Sequence, residues 1–323
     1  MKRRTWLGMA AIALGTMTPL HAQEAFPSKP IKIIVGYAPG GSSDITARLI
    51  ADRLRIELGQ PIIVDNRPGA GGNIGAEAVA RATPDGYTLL LAAAAQIVVN
   101  PSLYKNMPLD PLKDLAPITQ LQTDHNLMVV NPSVPAKNVA EFIAYAKTKP
   151  KGITFASPGS GSPAHLAGEL MNQMAGLTMQ HIPYKGSGPA LNDLIAGHVT
   201  MAIDNMPALL PQVKSGKLRA LAVASTKRAT AAPDIPTVDE AGLKGYVVTA
   251  WKGLMAPAGT PAPVIAKLHD VTVKVLADPE IRKRMIALGA EPVGDTPAHF
   301  AQTLREETAK WAALVKSTGA SIE

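Results

Sequence analysis

The first residues that could bind a ligand form a loop of small and polar side chains, Tyr37–Asp44. Gly40 and Gly41 allow the backbone to turn with positive φ and to approach a ligand closely. Ser42 or Asp44 can cap the helix that follows, and the free N–H groups and dipole of a helix start attract an anion. The loop is therefore either one wall of an anion site or an ordinary capped turn.

A second loop, Ser157–Ser162, precedes another predicted helix and suits a carboxylate, because hydroxyls and backbone amides bind that group without a cation. His165 and Glu169 follow it one helical turn apart, a spacing that metal sites use. Two ligands are too few for a metal, so we predict none and interpret His165 as a polar residue near the ligand or a local hydrogen bonder. The candidate contacts of this loop are Ser157, Gly159, Ser160, Ser162 and His165.

Two further loops follow predicted strands. In the third, Tyr184, Lys185 and Gly186 bring a hydroxyl, a charge and a flexible backbone together, although an exposed turn would have the same composition. In the fourth, Asp204 and its neighbour Asn205 could orient a polar group of a ligand or cap the next helix.

Motifs for catalysis are missing from the sequence. The chain has no cysteine, which excludes a disulfide framework, a thiolate nucleophile and a Cys-ligated metal. The segment Gly69–Gly75 resembles a dinucleotide fingerprint, but Ile74 stands where the third glycine is needed. There is no G-x-S-x-G elbow and no P-loop. A receptor without turnover and without a cofactor is the favoured hypothesis, and a hydrolase of carboxylated substrates is the alternative.

The elements that must position these loops alternate along the chain. Short apolar runs such as Ile31–Tyr37 alternate with amphipathic segments such as Ser43–Leu58, which predicts an α/β fold with mainly parallel sheets flanked by helices. Long extended segments at Leu115–Val130 and Tyr246–Ala256 suggest two crossings between two lobes. We therefore predict lobe 1 from residues 23–124 plus 251–323, lobe 2 from residues 125–250, and a ligand cleft between them.

The N-terminus predicts export. Residues 1–22 combine Lys2-Arg3-Arg4 with an apolar stretch, Trp6–Met17, that is too short to span a bilayer, as in a secretory signal cleaved after Ala22. Export by the general secretory route or by the twin-arginine route would fit this signal. We expect a soluble periplasmic protein. The full sequence has a formal net charge of +7, three of which come from the signal, and the remaining excess favours anions, while sparse aromatics and the lack of a basic stripe argue against nucleic acid.

Five motifs together carry a family resemblance. In this order, the chain resembles the substrate-binding proteins of tripartite tricarboxylate transporters, the TctC or Bug receptor family, across essentially all of the predicted mature sequence. The matching segments are Tyr37–Asp44, Asp65–Gly72, Pro84–Leu89, Ile182–Gly186 and Trp251–Pro261.

The resemblance implies a two-lobed periplasmic binding protein, type II-like, that closes like a Venus flytrap and delivers its ligand to the permease subunits. It implies that the first two loops bind carboxylate, with Tyr184, Lys185 and Asp204 as further contacts. A run of alanines follows the third strand and leaves Gln96 as the candidate that reads the ligand there. The expected ligand is a di- or tricarboxylate, an amino acid or an aromatic carboxylate, and the expected state is a monomer. A sensor that presents ligand to a membrane signalling system stays open as an alternative.

Overall fold

The computed structural model describes residues 26–150, 152–160, 162–225 and 227–318. The predicted signal peptide, residues 1–22, lies outside them. Within the described part of the chain, no helix has the length and apolar character needed to cross a membrane.

The strands of the described residues are β1 Ile31–Val35, β2 Ile62–Asn66, β3 Thr88–Ala93, β4 Leu115–Val130, β5 Thr154–Ser157, β6 Gln180–Pro183, β7 Met201–Asn205, β8 Arg219–Val223, β9 Thr249–Pro257 and β10 Ala290–Pro292. The helices are α1 Ser42–Leu58, α2 Asn73–Ala80, α3 Asn100–Leu103, α4 Pro111–Asp114, α5 Val139–Lys147, α6 Pro163–Ala175, α7 Ser187–Ala196, α8 Met206–Lys214, α9 Ala262–Ala277, α10 Pro279–Ala287 and α11 Pro297–Thr318. A 3₁₀ turn at Ala70–Gly72 and a π-helical turn at Ala95–Val99 complete the list.

The first sheet has the order β2-β1-β3-β9-β4, with β10 on the far edge of β4. Strand β1 pairs in parallel with β2 and β3, whereas β9 runs antiparallel to β3 and β4. Both faces are covered. Ile33 packs with Leu54 of α1 and Leu268 of α9, and Ile34 packs on the opposite face with Val79 of α2. Burial on both faces explains why β1 reads as a continuous apolar run.

The second sheet is built around β7, β5 and β6. Strand β5 pairs in parallel with β6 and β7, and β4 runs antiparallel to β7 and β8. Phe155 packs with Phe142 of α5 on one face, and Val129 packs with Leu209 of α8 on the other. In each sheet, the parallel strands therefore carry the loops named in the sequence analysis at their C-terminal ends.

Strand β4 belongs to both sheets. Its residues up to His125 pair with β9, and its residues from Asn126 pair with β7. This change of partner lies beside the predicted lobe boundary at 124/125. The assignment of residues to lobes 1 and 2 stays a prediction, and we use those names for the regions around the first and second sheets.

A buried ion pair lies at this crossing. Lys252 of β9 bonds Asp124 of β4, and the two residues are 1 % and 0 % exposed. Gln122 Nε2 donates to the other oxygen of Asp124 at 2.5 Å, and Thr46 of α1 donates to Gln122 at 3.3 Å. Lys252 Nζ also lies 3.5 Å from Asn205 Oδ1 at the end of β7. Polar side chains at the crossing thus connect the first sheet with the end of β7 in the second sheet.

The segments predicted above are present: Ile31–Tyr37 forms β1, Ser43–Leu58 forms α1, and the extended segments Leu115–Val130 and Tyr246–Ala256 form β4 and β9, with ends that differ by at most three residues. Five short features were not predicted: α3, α4, β10, the 3₁₀ turn and the π-helical turn. Single turns and a three-residue strand carry too few residues to show a period, so periodicity does not detect them.

Candidate functional site

Two adjoining cavities lie between the lobes. The inner cavity has about 30 Å³ of free space and the outer cavity about 250 Å³. Tyr37 and Pro158 line both, so the two spaces adjoin at these residues. A cavity needs roughly 10–15 Å³ to hold one water, and the inner cavity therefore has room for about two water-sized groups.

Four of the described helices begin at the inner cavity. The lining residues include Ser42 at the start of α1, Pro163 at the start of α6, Ser187 at the start of α7 and Asn205 before α8. Free N–H groups and the positive ends of helix dipoles attract anions at such positions. None of the described side chains that line this cavity is Lys or Arg. Attraction for an anion in the inner cavity would therefore have to come from backbone N–H groups and hydroxyls.

A buried serine hydroxyl lies at the wall of the inner cavity. Ser42 is 2 % exposed, and its Oγ has no hydrogen-bond partner among the described residues. A buried hydroxyl without a partner costs free energy, so natural sites usually pair it. An anionic oxygen in the inner cavity would accept a hydrogen bond from Ser42.

Asp204 is the acidic side chain of the inner cavity. Burial raises the pKa of its carboxyl group, although bonds from Ser187 and the Asn205 amide oppose the rise. Ser187 Oγ donates to Asp204 Oδ2 at 2.5 Å, and the Asn205 N–H donates to Oδ1 at 2.7 Å. With both oxygens engaged by its own lobe, Asp204 fixes the starts of α7 and α8 beside the cavity.

The Tyr37 side chain lines both cavities. Its hydroxyl donates to the Gly71 carbonyl at 3.0 Å, and burial raises its pKa. Gly72 has φ +98°, and a Cβ there would lie 3.1 Å from the Tyr37 ring, so the glycine turn leaves space for the tyrosine.

The outer cavity has different walls. Lobe 1 contributes the glycine turn and Tyr104, and lobe 2 contributes Ser160, Tyr184 and Lys185. The Tyr184 hydroxyl donates to Asp193 at 2.6 Å, and burial, followed by that carboxylate, raises its pKa to about 12. Lys185 is exposed.

The lobes meet at a narrow seam of backbone and glycine. The Ala38 N–H donates to the Lys185 carbonyl at 3.1 Å across the cleft. A Cβ on Gly41 would lie 3.3 Å from Ser187, and one on Gly188 would lie 2.3 Å from the Pro39 carbonyl oxygen. The seam therefore requires residues without side chains, and the structure is that of closed lobes.

Two residues of the first loop have a supporting role. Asp44 Oδ2 accepts from the Gly40 N–H at 3.0 Å, and both Asp44 oxygens accept from Arg48. Burial favours the neutral acid, but these bonds outweigh it and lower the pKa of Asp44. Asp44 and Gly40 line neither cavity. They hold the loop that presents Gly41 and Ser42.

The second loop rests on stacked rings. His165 stacks on His181 with ring centroids 3.9 Å apart, and Phe155 lies beside both rings, 5.0 Å from His181 and 6.3 Å from His165. Ser157 Oγ lies 2.7 Å from His181 Nε2 and donates to the Gly159 carbonyl. Because its proton goes to Gly159, Ser157 accepts from a protonated Nε2. Ser157 and His165 thus stabilise the second loop but line neither cavity.

Acid is expected to destabilise this stack. Burial, followed by repulsion from His165, lowers the pKa of His181 from 6.5 to about 3, and burial also lowers the pKa of His165 against the pull of Glu169. Between these two values the unfolded chain binds a proton on His181 that the folded chain does not, so stability is full above pH 6.5 and falls as the pH drops towards 3.

The check is denaturant unfolding of His181→Gln at pH 7.5 and pH 5. We expect the variant to lose less stability on acidification than the wild type, by on the order of 1 kcal/mol after allowance for solvent screening. His198→Gln, at an exposed histidine of the same lobe, is the matched control. If the free energy of unfolding changed with pH by the same amount in the wild type and in His181→Gln, the explanation would be contradicted.

The structure groups the sequence candidates in three sets, and their roles in binding stay predictions. The inner cavity is lined by Tyr37, Gly41, Ser42, Ser162 and Asp204. The outer cavity is lined by Tyr37 again and by Gly159, Ser160, Tyr184 and Lys185. The candidates that line neither cavity are Gly40, Asp44, Gln96, Ser157, His165 and Gly186.

Gln96 lies within the π-helical turn and is fully buried. Its Oε1 accepts from the Ala93 N–H at 3.2 Å, and its Nε2 has no partner among the described residues. The side chain therefore lies behind the cavity wall, and Ala93–Ala95 line the inner cavity at this point.

Two aromatic wall residues are absent from the sequence candidates. Trp251 lines the inner cavity, and Tyr104 lines the outer one. Trp251 stands in one of the five motifs, so it carried a signal. Tyr104 ends the unpredicted helix α3 and carried none.

The candidate pair His165 and Glu169 lies 3.8 Å apart between Nε2 and Oε1. Across the described residues, no group of three or more His, Asp or Glu is arranged to hold a metal ion.

Comparison with known proteins adds four findings. A family model for the tripartite tricarboxylate transporter family receptor matches residues 46–320. The periplasmic binding protein BugD is similar in structure, with a TM-score of 0.89 and 38% identity over 92% of this chain and 100% of that chain. A Rhodopseudomonas palustris protein solved with adipate has a TM-score of 0.88 and 35% identity, covering 92% and 99%. MatC of the same organism, solved with malate, has a TM-score of 0.85 and 34% identity, covering 90% and 100%.

Proposed function

This chain belongs to the family of tripartite tricarboxylate transporter receptors, and we propose that it captures a small carboxylate between its lobes and hands it to the membrane subunits of such a transporter. The observation that carries the proposal is the inner cavity. Helix starts and the Ser42 hydroxyl converge there, and in the described part of the chain that hydroxyl has no partner and no cationic side chain lines the cavity.

The size and chemistry of the inner cavity support a carboxylate. Two oxygens of such a group match the room for about two water-sized groups. Backbone N–H groups that are fixed before binding lose little freedom when the anion arrives, which favours affinity. The similar proteins solved with adipate and with malate hold ligands of this class.

We propose binding without turnover. The nearest arrangement to a nucleophile and base is Ser157 with His181, but Ser157 is 1 % exposed and a pKa of about 3 makes His181 a weak base. The ligand would be released unchanged when the lobes separate, a motion of the hinge type. The proposed location is the periplasm, reached through the signal at residues 1–22, as the name of BugD states for that relative.

A thermal-shift panel tests the function. Di- and tricarboxylates, amino acids and aromatic carboxylates are each added to the mature chain, and at least one is expected to raise the melting temperature because it binds only the native state. Mass spectrometry of ligand that co-purifies with the protein narrows the panel. If no carboxylate stabilises the chain, the proposal fails.

Ser42→Ala sharpens the same test. We expect roughly tenfold weaker carboxylate binding by calorimetry, because a hydrogen bond to a charged group is lost. Unfolding in denaturant should change little, since the hydroxyl has no partner among the residues that the structure describes. Wild-type affinity in Ser42→Ala would remove this hydroxyl from the site.

A further inference from the structure

A stripe of buried polar side chains runs along β4 through the strand crossing. Gln122, Asp124 and Asn126 alternate along the strand and therefore lie on one face of it. They are 1 %, 0 % and 0 % exposed. Polar groups in such a place cost free energy unless they are paired, and apolar side chains would pack there without that cost. Stability alone therefore does not explain polar residues at these positions.

The stripe extends into lobe 1 as far as the inner cavity. Gln122 Oε1 lies 3.3 Å from the hydroxyl of Thr46 in α1, and that hydroxyl lies 3.0 Å from the Ser42 carbonyl oxygen one helical turn earlier. Thr46 has one hydroxyl proton, which these two acceptors share. Ser42 lines the inner cavity, whereas Thr46 lines neither cavity. A displacement of Ser42 therefore changes the hydrogen bond that Gln122 receives.

The stripe reaches the inner cavity in lobe 2 through Lys252. Gln122 Nε2 donates to one oxygen of Asp124, and Lys252 bonds the other. Lys252 Nζ also lies 3.5 Å from Asn205 Oδ1, and Asn205 Nδ2 donates to Asn126 at 2.6 Å. Asn205 lines the inner cavity and precedes α8. Residues of the crossing therefore hold both ends of the Asn205 amide.

These contacts form one chain between the two walls of the inner cavity. We call it the polar relay, and its members are Ser42, Thr46, Gln122, Asp124, Lys252 and Asn205. Its longest link, from Lys252 to Asn205, joins the first sheet to the second. At 3.5 Å this link is at the limit of a hydrogen bond, so a small rotation of one sheet against the other makes or breaks it. Rotations of this kind open and close two-lobed proteins.

We propose that the polar relay couples the two walls of the inner cavity, so that an anion bound at Ser42 stabilises the closed position of Asn205, with Lys252 as the positioning residue between them. The inference rests on the proposed carboxylate-binding function and adds the residues that join capture to closure. An anion shifts the lobes towards closure only by the difference between its affinities for the closed and the open state. The polar relay supplies part of that difference.

Thr46→Val tests the polar relay, because it removes one hydroxyl and keeps the shape of the side chain. The probe is whichever of malate, adipate, citrate, glutamate and phthalate stabilises the wild type most. We expect roughly fivefold weaker binding of this probe by calorimetry, at the low end of coupling between two sites. Thr272→Val is the matched control and should keep wild-type affinity. Thr272 is 0 % exposed in α9, and its hydroxyl has no partner among the described residues.

A direct measurement of closure separates coupling from a merely structural role. The chain has no cysteine, so Ala144→Cys in α5 and Ala277→Cys in α9 place one spin label at an exposed position of each lobe. The distance between the labels is measured without the probe and at saturation. We expect the saturated wild type to show one short distance and saturated Thr46→Val to keep a second, longer one. A variant that has lost only stability would close as the wild type does.

A second break in the polar relay excludes a local effect of Thr46. Lys252→Met with Asp124→Asn removes the ion pair without leaving a buried charge unpaired. We expect a similar loss of probe affinity. Addition of Thr46→Val to this double variant should weaken binding no further, because a relay that is already broken no longer couples the two walls. Independent effects would instead multiply to roughly 25-fold.

The outcomes separate the two proposals. Wild-type affinity in Thr46→Val, full closure of that variant at saturation, or losses that multiply would each overturn the polar relay while carboxylate binding stands. Failure of every carboxylate to bind the wild type would overturn the proposed function and the polar relay with it.

Discussion

Replacement of Lys252 with methionine is expected to lower the free energy of unfolding by about 3–5 kcal/mol, because it leaves the buried carboxylate of Asp124 without its counter-charge. Lys252 and Asp124 are 1 % and 0 % exposed, so water cannot take the place of the missing ammonium group. The change also removes the Lys252 contact to Asn205, a wall residue of the inner cavity.

A double variant shows that the loss comes from the uncompensated charge. Lys252→Met with Asp124→Asn removes both charges and keeps an amide oxygen that can accept from Gln122. We expect it to recover most of the lost stability, since replacing both members of a buried pair is often nearly neutral. Denaturant unfolding of the two single variants and the double variant gives the coupling energy of the pair.

The matched control is Lys29→Met. Lys29 pairs with Asp85 at 3.2 Å, but its side chain is 59% exposed. The same substitution there is expected to change stability by less than about 1 kcal/mol. Equal effects at Lys29 and Lys252 would contradict the importance that we give to burial at the strand crossing.

Gly188→Ala is expected to weaken ligand binding by about 10- to 100-fold while the unliganded protein stays folded. Its Cβ would lie 2.3 Å from the Pro39 carbonyl oxygen across the seam, so the closed lobes must move apart. Overpacking of this kind costs up to about 3 kcal/mol, which is about 100-fold in affinity. In separated lobes the alanine has no such neighbour, and it suits helix α7 better than glycine does.

The prediction needs two measurements on the same variant. Calorimetry with the best carboxylate of the panel gives the affinity, and thermal unfolding without ligand shows that the fold is intact. Gly152→Ala, whose Cβ would have no neighbour closer than 3.4 Å, is the matched control in the same lobe.

Gly41→Val approaches the seam from the other lobe, where a Cβ would already lie 3.3 Å from Ser187. We expect it to weaken binding as well. Wild-type affinity in folded Gly188→Ala and Gly41→Val would mean that the lobes do not need this seam to hold a ligand.

The order of elements could be predicted from local pattern because each element has a period of its own. The apolar run at β1 and the spaced apolar residues of α1 predict their structures directly. The loops at the ends of these strands could be predicted as a group for the same reason, since parallel strands place their C-terminal ends at one edge.

Contacts between distant residues could not be predicted in this way. Lys252 and Asp124 are 128 positions apart, and no local pattern pairs them. The direction in which a loop side chain points could not be predicted either. Asp44 and Ser42 stand in the same loop, but Asp44 turns back to Arg48 whereas Ser42 lines the inner cavity. Gln96 shows the same limit, because the π-helical turn buries it.

The place of β9 in the first sheet sets the order in which the chain can fold. Strand β9 lies between β3 and β4, although it follows β8 along the chain. As the chain emerges from the ribosome or from an export channel, the strands β1 to β4 are free first, but the gap between β3 and β4 is filled only after residue 257. Lobe 2, by contrast, has all of its own strands by residue 223. In chains of increasing length, lobe 2 should therefore become protease-resistant before lobe 1. The sheet of lobe 1 lacks β9 until residue 257 has been made.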